Sequence, residues 1–299
     1  MSKIRFVIFT FCSKVINAWL RTKSLNGAQR AEWLLRRMWK RYEVVARESG
    51  PNNTIFPDVE TYNGVLKSWS LHDAHKTEEL LRELLDYEQR GFEKCRANTD
   101  SFAICIATFA RFAHNSEHWA QGDDCQRAFA LLSELSDREK NCISGCITNL
   151  DHFNSVMRTV AFSQSSSVDV LDVAFQTYRM LKSSRHEPDN ITYKHFVRAI
   201  IKSCHVQKTK HDLLRGIINM CCDDGQLCQG IINFVTHGPF EEKGGWISSR
   251  DAERLATRLF GDWPVPKNWS RNLKQRYIVP NSLAITYENA QGEGRKHLL

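Results

Sequence analysis

One spacing recurs five times along the chain: a large side chain is followed by apolar residues three, four and seven positions later. The sets are Cys12, Val15, Ile16, Trp19; Tyr62, Val65, Leu66, Trp69; Phe102, Cys105, Ile106, Phe109; Phe153, Val156, Met157, Val160; and Tyr193, Phe196, Val197, Ile200. At 3.6 residues per turn these offsets place all four side chains on one face of an α-helix, and they do not fit the period-two alternation of a half-buried strand. An aromatic residue opens four of the five sets.

Each set is followed by a second stripe with the same offsets, opened in four cases by a small residue. These stripes are Ala31, Leu34, Leu35, Met38; Thr77, Leu80, Leu81, Leu84; Ala128, Leu131, Leu132, Leu135; Ala174, Thr177, Tyr178, Leu181; and, more loosely, Leu214, Ile217, Ile218, Cys221. A small residue lets two helices approach closely, while the larger ones fill the space between successive pairs. The pattern therefore predicts five helical hairpins. Their first stripes open 50, 40, 51 and 40 residues apart, and the surplus length falls in polar turns such as residues 50–56 and 114–124, where insertion is tolerated.

The expected fold class is all-α: an α-solenoid of about five helix–turn–helix repeats over residues 9–224, a short helical cap over 225–262 and an irregular basic tail over 263–299. Composition agrees, with only seven prolines and 15 glycines in 299 residues and 42% apolar against 25% charged residues.

The net charge of +7 sits at the N-terminus, where residues 1–50 hold 11 Lys and Arg against Glu32, Glu43 and Glu48. Residues 1–30 contain no acidic side chain. That run reads either as an organellar transit peptide, giving a mitochondrial or plastid location, or as the first helix of the array from about Phe9, in a protein otherwise cytoplasmic. Residues 1–8 are then a targeting or unstructured segment. The apolar run from Phe6 to Leu20 is interrupted by Lys14 and Asn17, so no membrane association is expected.

The ten cysteines lack the dense spacing of a secreted scaffold and suit a reducing compartment. Cys142 and Cys146, the group Cys221, Cys222 and Cys228, and the pair His114 and His118 were weighed as metal ligands. None has Cys-x-x-Cys spacing, and thiols on helix faces are ordinarily small core residues, so no metal is expected. There is no glycine-rich phosphate loop, no Gly-x-Ser-x-Gly and no His-Glu-x-x-His. Gly244-Gly245 reads as a turn, and Glu78-Glu79 and Asp123-Asp124 as solvated charge. The expectation is a protein without catalysis, cofactor or small-molecule substrate.

Two boundaries carry a fuller motif: Pro57-Asp58-Val59-Glu60-Thr61-Tyr62-Asn63 and Pro188-Asp189-Asn190-Ile191-Thr192-Tyr193-Lys194. Proline ends the preceding helix, and the neighbouring Asp can cap the next. The motif resembles the repeat boundary of the pentatricopeptide repeat family, and Ala31 to Met38 resembles that family's second helix. The resemblance spans residues 9–224. The third and fourth units, opening at Thr99-Asp100-Ser101-Phe102 and Leu150-Asp151-His152-Phe153, keep the aromatic and lose the proline.

The resemblance implies single-stranded RNA as partner, with bases contacted by the residue after the aromatic and by the last residue of the repeat. In this chain those are Ser13 with Asp58, Asn63 with Asn98, Ala103 with Asn149, Asn154 with Asp189, and Lys194. Amides and carboxylates supply donors and acceptors to base edges. Ala103 cannot hydrogen-bond, Lys194 suits phosphate better than a base, and Glu60, Asp100 and Asp151 stand where the family places apolar stacking residues. By residue type alone, Asn63, Asn154 and the two Asp read as helix caps and turn residues. A protein partner in the same groove is the alternative, favoured by those acidic residues.

Overall fold

The computed structural model describes residues 2–49, 56–114, 123–163, 168–237 and 267–273. Among them are eleven α-helices and no strand. They are α1 (Ser2–Thr22), α2 (Leu25–Ser49), α3 (Val59–Trp69), α4 (Ala74–Gln89), α5 (Thr99–His114), α6 (Asp124–Lys140), α7 (Leu150–Phe162), α8 (Val168–Ser183), α9 (Asn190–Ser203), α10 (Gln207–Asp223) and α11 (Gln229–His237). Short 3-10 turns occupy Glu93–Cys95 and Lys267–Ser270. The chain divides into two compact units, Met1–Thr159 and Val160–Leu299.

The aromatic residue that opens each stripe is fully buried: Tyr62, Phe102, Phe153 and Tyr193 are all sealed from solvent. The small residues of the second stripes, Ala31, Thr77, Ala128 and Ala174, are equally enclosed. In the first unit, α1 to α6 pack in sequence, and α1 also meets α3 while α3 meets α5. Gly64 shows how close that approach is, since a Cβ there would stand 2.9 Å from Ile16 Cγ2. The helices between them, α2, α4 and α6, are joined by side chains: Arg36 pairs with Glu83, Arg82 with Glu134, and Arg138 with Glu88. Within the layer of α1, α3 and α5, the Ile16 side chain of α1 thus packs directly on the α3 backbone at Gly64.

The turns leaving α4 and α6 are built the same way. Gly91 and Cys142 take positive φ of 88° and 55° just after α4 and α6, and their N–H groups return to the carbonyls of Glu88 and Glu139. Cys95 and Cys146 then donate their thiols to the carbonyls of Pro57 and Ala97, at 3.1 and 3.4 Å. The Glu88 and Glu139 carboxylates accept from the N–H groups of Ala97 and Thr148. One arrangement of hydrogen bonds therefore serves two successive hairpins, although residues 91–98 and 142–149 share little sequence.

In the second unit, α9 packs against α8, α10 and α11. Gly225, with φ of 67°, ends α10, and the segment around Trp269 covers that end: Leu227 N–H donates to the Trp269 carbonyl, and Asn272 Nδ2 to the Asp224 carbonyl. Unlike Tyr62, which donates to Glu83, Tyr193 donates to Asp224, the residue that follows α10.

Three expectations are corrected. Helix α1 begins at Ser2, not near Phe9, because nothing between residues 2 and 9 breaks a helix. Cys142 and Cys146 share no helix face; both lie in the turn after α6, with Cys142 exposed. Glu78 and Asp124 are buried, because they face each other across α4 and α6 beside Arg127 and His75. Helix α11 falls within residues 225–262, where a helical cap is expected; the second helix of that cap, residues 50–55, His118, Gly244-Gly245 and most of the tail lie outside the described residues.

Candidate functional site

The four residues that the family resemblance would place last in each repeat all do the same local work. Asp58, Asn98, Asn149 and Asp189 each stand immediately before a first helix, and a side-chain oxygen of each accepts the backbone N–H three residues on: Thr61 at 2.9 Å, Ser101 at 3.1 Å, His152 at 3.1 Å and Thr192 at 2.9 Å. These are helix N-caps, which satisfy one of the orphan donors of the first turn. Asp189 completes a reciprocal capping box with Thr192.

A hydroxyl at that third position then joins the cap to the preceding first helix. Thr61 Oγ1 donates to Asp58 Oδ1 at 2.7 Å and lies 3.2 Å from Ser13 Oγ on α1. One hairpin on, Ser101 Oγ lies 3.1 Å from Asn98 Oδ1 and donates to Asn63 Oδ1 on α3 at 2.7 Å, while Asn63 Nδ2 reaches Asn98 Oδ1 at 3.2 Å. The structure therefore brings together Ser13 with Asp58 and Asn63 with Asn98. Ala103 offers no polar group beside Asn149, which is exposed. Asn154 is buried in the first unit; Asp189 and the exposed Lys194 belong to the second.

Asn63 is only 2% exposed, so its amide already spends its hydrogen-bonding capacity inside the protein. A ligand that uses it must exchange these bonds rather than add to them. Glu60, Asp100 and Asp151, in the first turns of α3, α5 and α7, are exposed. Their carboxylates complement the helix N-termini and give that edge a negative rim.

The sequence matches no protein-family model, and neither curated proteins nor solved structures yield a match. Among the described residues no group of three or more His, Cys, Asp or Glu side chains is placed to hold a metal ion. No described helix is long and apolar enough to cross a membrane.

Burial favours the neutral thiol at Cys95 and Cys222, each pushed up to about 12, and at Cys125, pushed up to about 11, so these three are not poised as nucleophiles. Asp124 is the exception among the carboxyls. Burial raises it to about 6, against the opposing influence of His75, whose Nε2 stands 3.4 Å from Oδ1 without hydrogen-bond alignment. The bridging hydroxyls Thr61 and Ser101 were not singled out in the sequence. The signal was present, because each lies three residues after an Asp or Asn cap.

Proposed function

We propose that the protein is a non-catalytic, pentatricopeptide-like helical-repeat adaptor that binds single-stranded RNA along its first helices and serves RNA processing, stability or translation in a mitochondrion or plastid. The observation that carries this reading is the joining of Asn63 and Asn98 through Ser101, repeated one hairpin earlier as Ser13, Thr61 and Asp58. These are the pairs that the family resemblance assigns to base contact, and the same geometry serves both. An amide and a cap residue held within 3.2 Å could present a donor and an acceptor to one Watson–Crick edge. The acid-free N-terminal run supports the organellar assignment.

Selection from a randomised single-stranded RNA pool tests it. Wild type is expected to enrich a short sequence, and Asn63→Ala, which loses both amide contacts, to lose preference at one nucleotide while the others persist. A pool that emerges unenriched rejects the reading. The second reading, a scaffold for a basic protein segment, draws on the exposed Glu60, Asp100 and Asp151. It predicts that reversing those three charges abolishes partner binding, whereas RNA binding would be strengthened by the same change.

A further inference from the structure

The cations of the second helices are treated in two ways. Every Lys and Arg of α4 and α6 is in an ion pair: Lys76 with Glu32 and Glu79, Arg82 with Glu78 and Glu134, Arg127 with Asp123 and Glu78, Arg138 with Glu88, and Lys140 with Asp137. On α2 only Arg36 is, held by Glu32 and Glu83. Arg30, Arg37, Lys40, Arg41 and Arg47 are exposed and pair with no carboxylate among the described residues.

Helical periodicity gathers these charges. At 100° per residue, Arg30, Trp33, Arg37, Lys40, Arg41 and Val44 fall within an arc of about 100°, opposite the buried Ala28, Ala31, Leu35 and Trp39. Arg47 extends the stripe. Glu43 lies on the flank that carries Glu32 and Arg36, which leaves Glu48 as the one acid within the stripe, at its C-terminal end. Trp33 is 54% exposed, with the Arg37 guanidinium 5.1 Å from its ring centre. That contact holds the indole beside the charges while leaving it open to solvent.

A solvated face needs no such arrangement, since the neighbouring helices neutralise each cation they carry. We propose that the outer face of α2 is a second nucleic-acid contact, in which Arg30, Arg37, Lys40, Arg41 and Arg47 bind the phosphodiester backbone of single-stranded RNA and Trp33 stacks on a base. It rests on the RNA-binding reading above and adds a site distinct from the first-helix pairs. The residues from Arg30 to Arg47 span about 25 Å at 1.5 Å per residue, enough for several consecutive phosphates. Trp33 and the guanidiniums supply the stacking and charge that sequence-tolerant strand binding uses.

The test is fluorescence anisotropy of the full chain with a labelled single-stranded RNA across a salt series. Five phosphate contacts predict a slope of about −3.5 in log affinity against log salt, hence about a 100-fold loss between 50 and 200 mM. Arg37→Glu/Lys40→Glu/Arg41→Glu should flatten the slope by about 2 and weaken binding more than tenfold at 100 mM. Trp33→Ala should cost about tenfold with the slope unchanged. Arg90→Glu/Lys94→Glu/Lys140→Glu carries the same charge change elsewhere and should leave the slope near that of wild type. Circular dichroism should show each variant folded; Arg37→Gln/Arg41→Gln, with a proportionate loss of slope, replaces the triple reversal if that one unfolds.

If RNA binds and the α2 variants keep the wild-type slope, this proposal fails and the RNA-binding reading stands. If the control variant flattens the slope as much as the α2 variant, the contact is net charge rather than this face, and the proposal again fails. Absence of RNA binding at 50 mM salt, with vesicles of anionic phospholipid or an acidic peptide bound through α2 instead, overturns both.

Discussion

At the scale of single residues, three turns show how backbone geometry chooses side chains. Gly91, Cys142 and Gly225 all take positive φ at the ends of α4, α6 and α10. Glycine enters that region without cost, whereas a residue with a Cβ loses about 1 kcal/mol. Cys142→Gly is therefore expected to raise stability by about 0.5–1 kcal/mol, read as a higher midpoint in thermal unfolding; an unchanged or lower midpoint would show that Cys142 carries no strain. Asp124 supplies a second case. Its folded-state pKa, about 6, lies above the ordinary carboxylate value near 3.9, so the native state binds the proton more tightly than the unfolded chain. Its contribution is most favourable below about pH 4 and is lost as pH rises through 6. Asp124→Asn should stabilise the protein by about 1–2 kcal/mol at pH 8, and the gain should vanish at pH 4 in urea melts at the two pH values. Equal destabilisation at both would mean that the charged form is the one the fold prefers.

At the scale of elements, the helices are joined by different forces on their two sides. The layer of α1, α3 and α5 is close-packed, with Gly64 against Ile16. Between α4 and α6 the link is polar. Arg138 spans both carboxylate oxygens of Glu88, at 3.2 and 3.0 Å, and Glu88 also accepts from Ala97 N–H. Both side chains are mostly buried, at 14% and 17% exposed. Glu88→Ala would strand a half-buried guanidinium and a backbone donor, at about 2–4 kcal/mol. Chemical denaturation should register that loss, and a change below about 0.5 kcal/mol would place the stability of this hairpin pair elsewhere. The apolar half of this design was legible in part: stripes at offsets of three, four and seven marked the first helices and the buried side chains of α5, α7, α9 and, Trp69 apart, α3, whereas in α1 only Ile16 of the stripe is buried and Trp19 is 37% exposed. The polar half was not. The offset of three from Asp58 and Asn98 marks Thr61 and Ser101 as cap partners but not their reach to Ser13 and Asn63 on the preceding helix, and the meeting of Arg138 with Glu88 or His75 with Asp124 links residues about 50 positions apart, which no local periodicity can register.

At the scale of the molecule, a residue's place in its hairpin matters more than its type. Asp58, Asn98, Asn149 and Asp189 differ in chemistry and neighbours, yet all cap first helices. The caps at Asp58 and Asp189 were readable in the sequence; those at Asn98 and Asn149 were not, and Asn63 and Asn154, which by type read as caps, lie inside α3 and α7. What the sequence could not separate was cap from contact, because Asn and Asp serve both with the same oxygen. The basic excess of residues 1–50 was legible, but not that most cations of α2 pair with no carboxylate among the described residues while those of α4 and α6 do, a contrast that exists only in three dimensions.

The central claim is that first helices meet the bases, and photo-crosslinking tests it most directly. A single-stranded RNA carrying 4-thiouridine at each position in turn, irradiated on the full chain and mapped by mass spectrometry, should mark peptides of α1, α3 and α5 around Ser13, Asn63 and Ala103. Crosslinks confined to α4 and α6, or none above an irradiated control without protein contact, would contradict it.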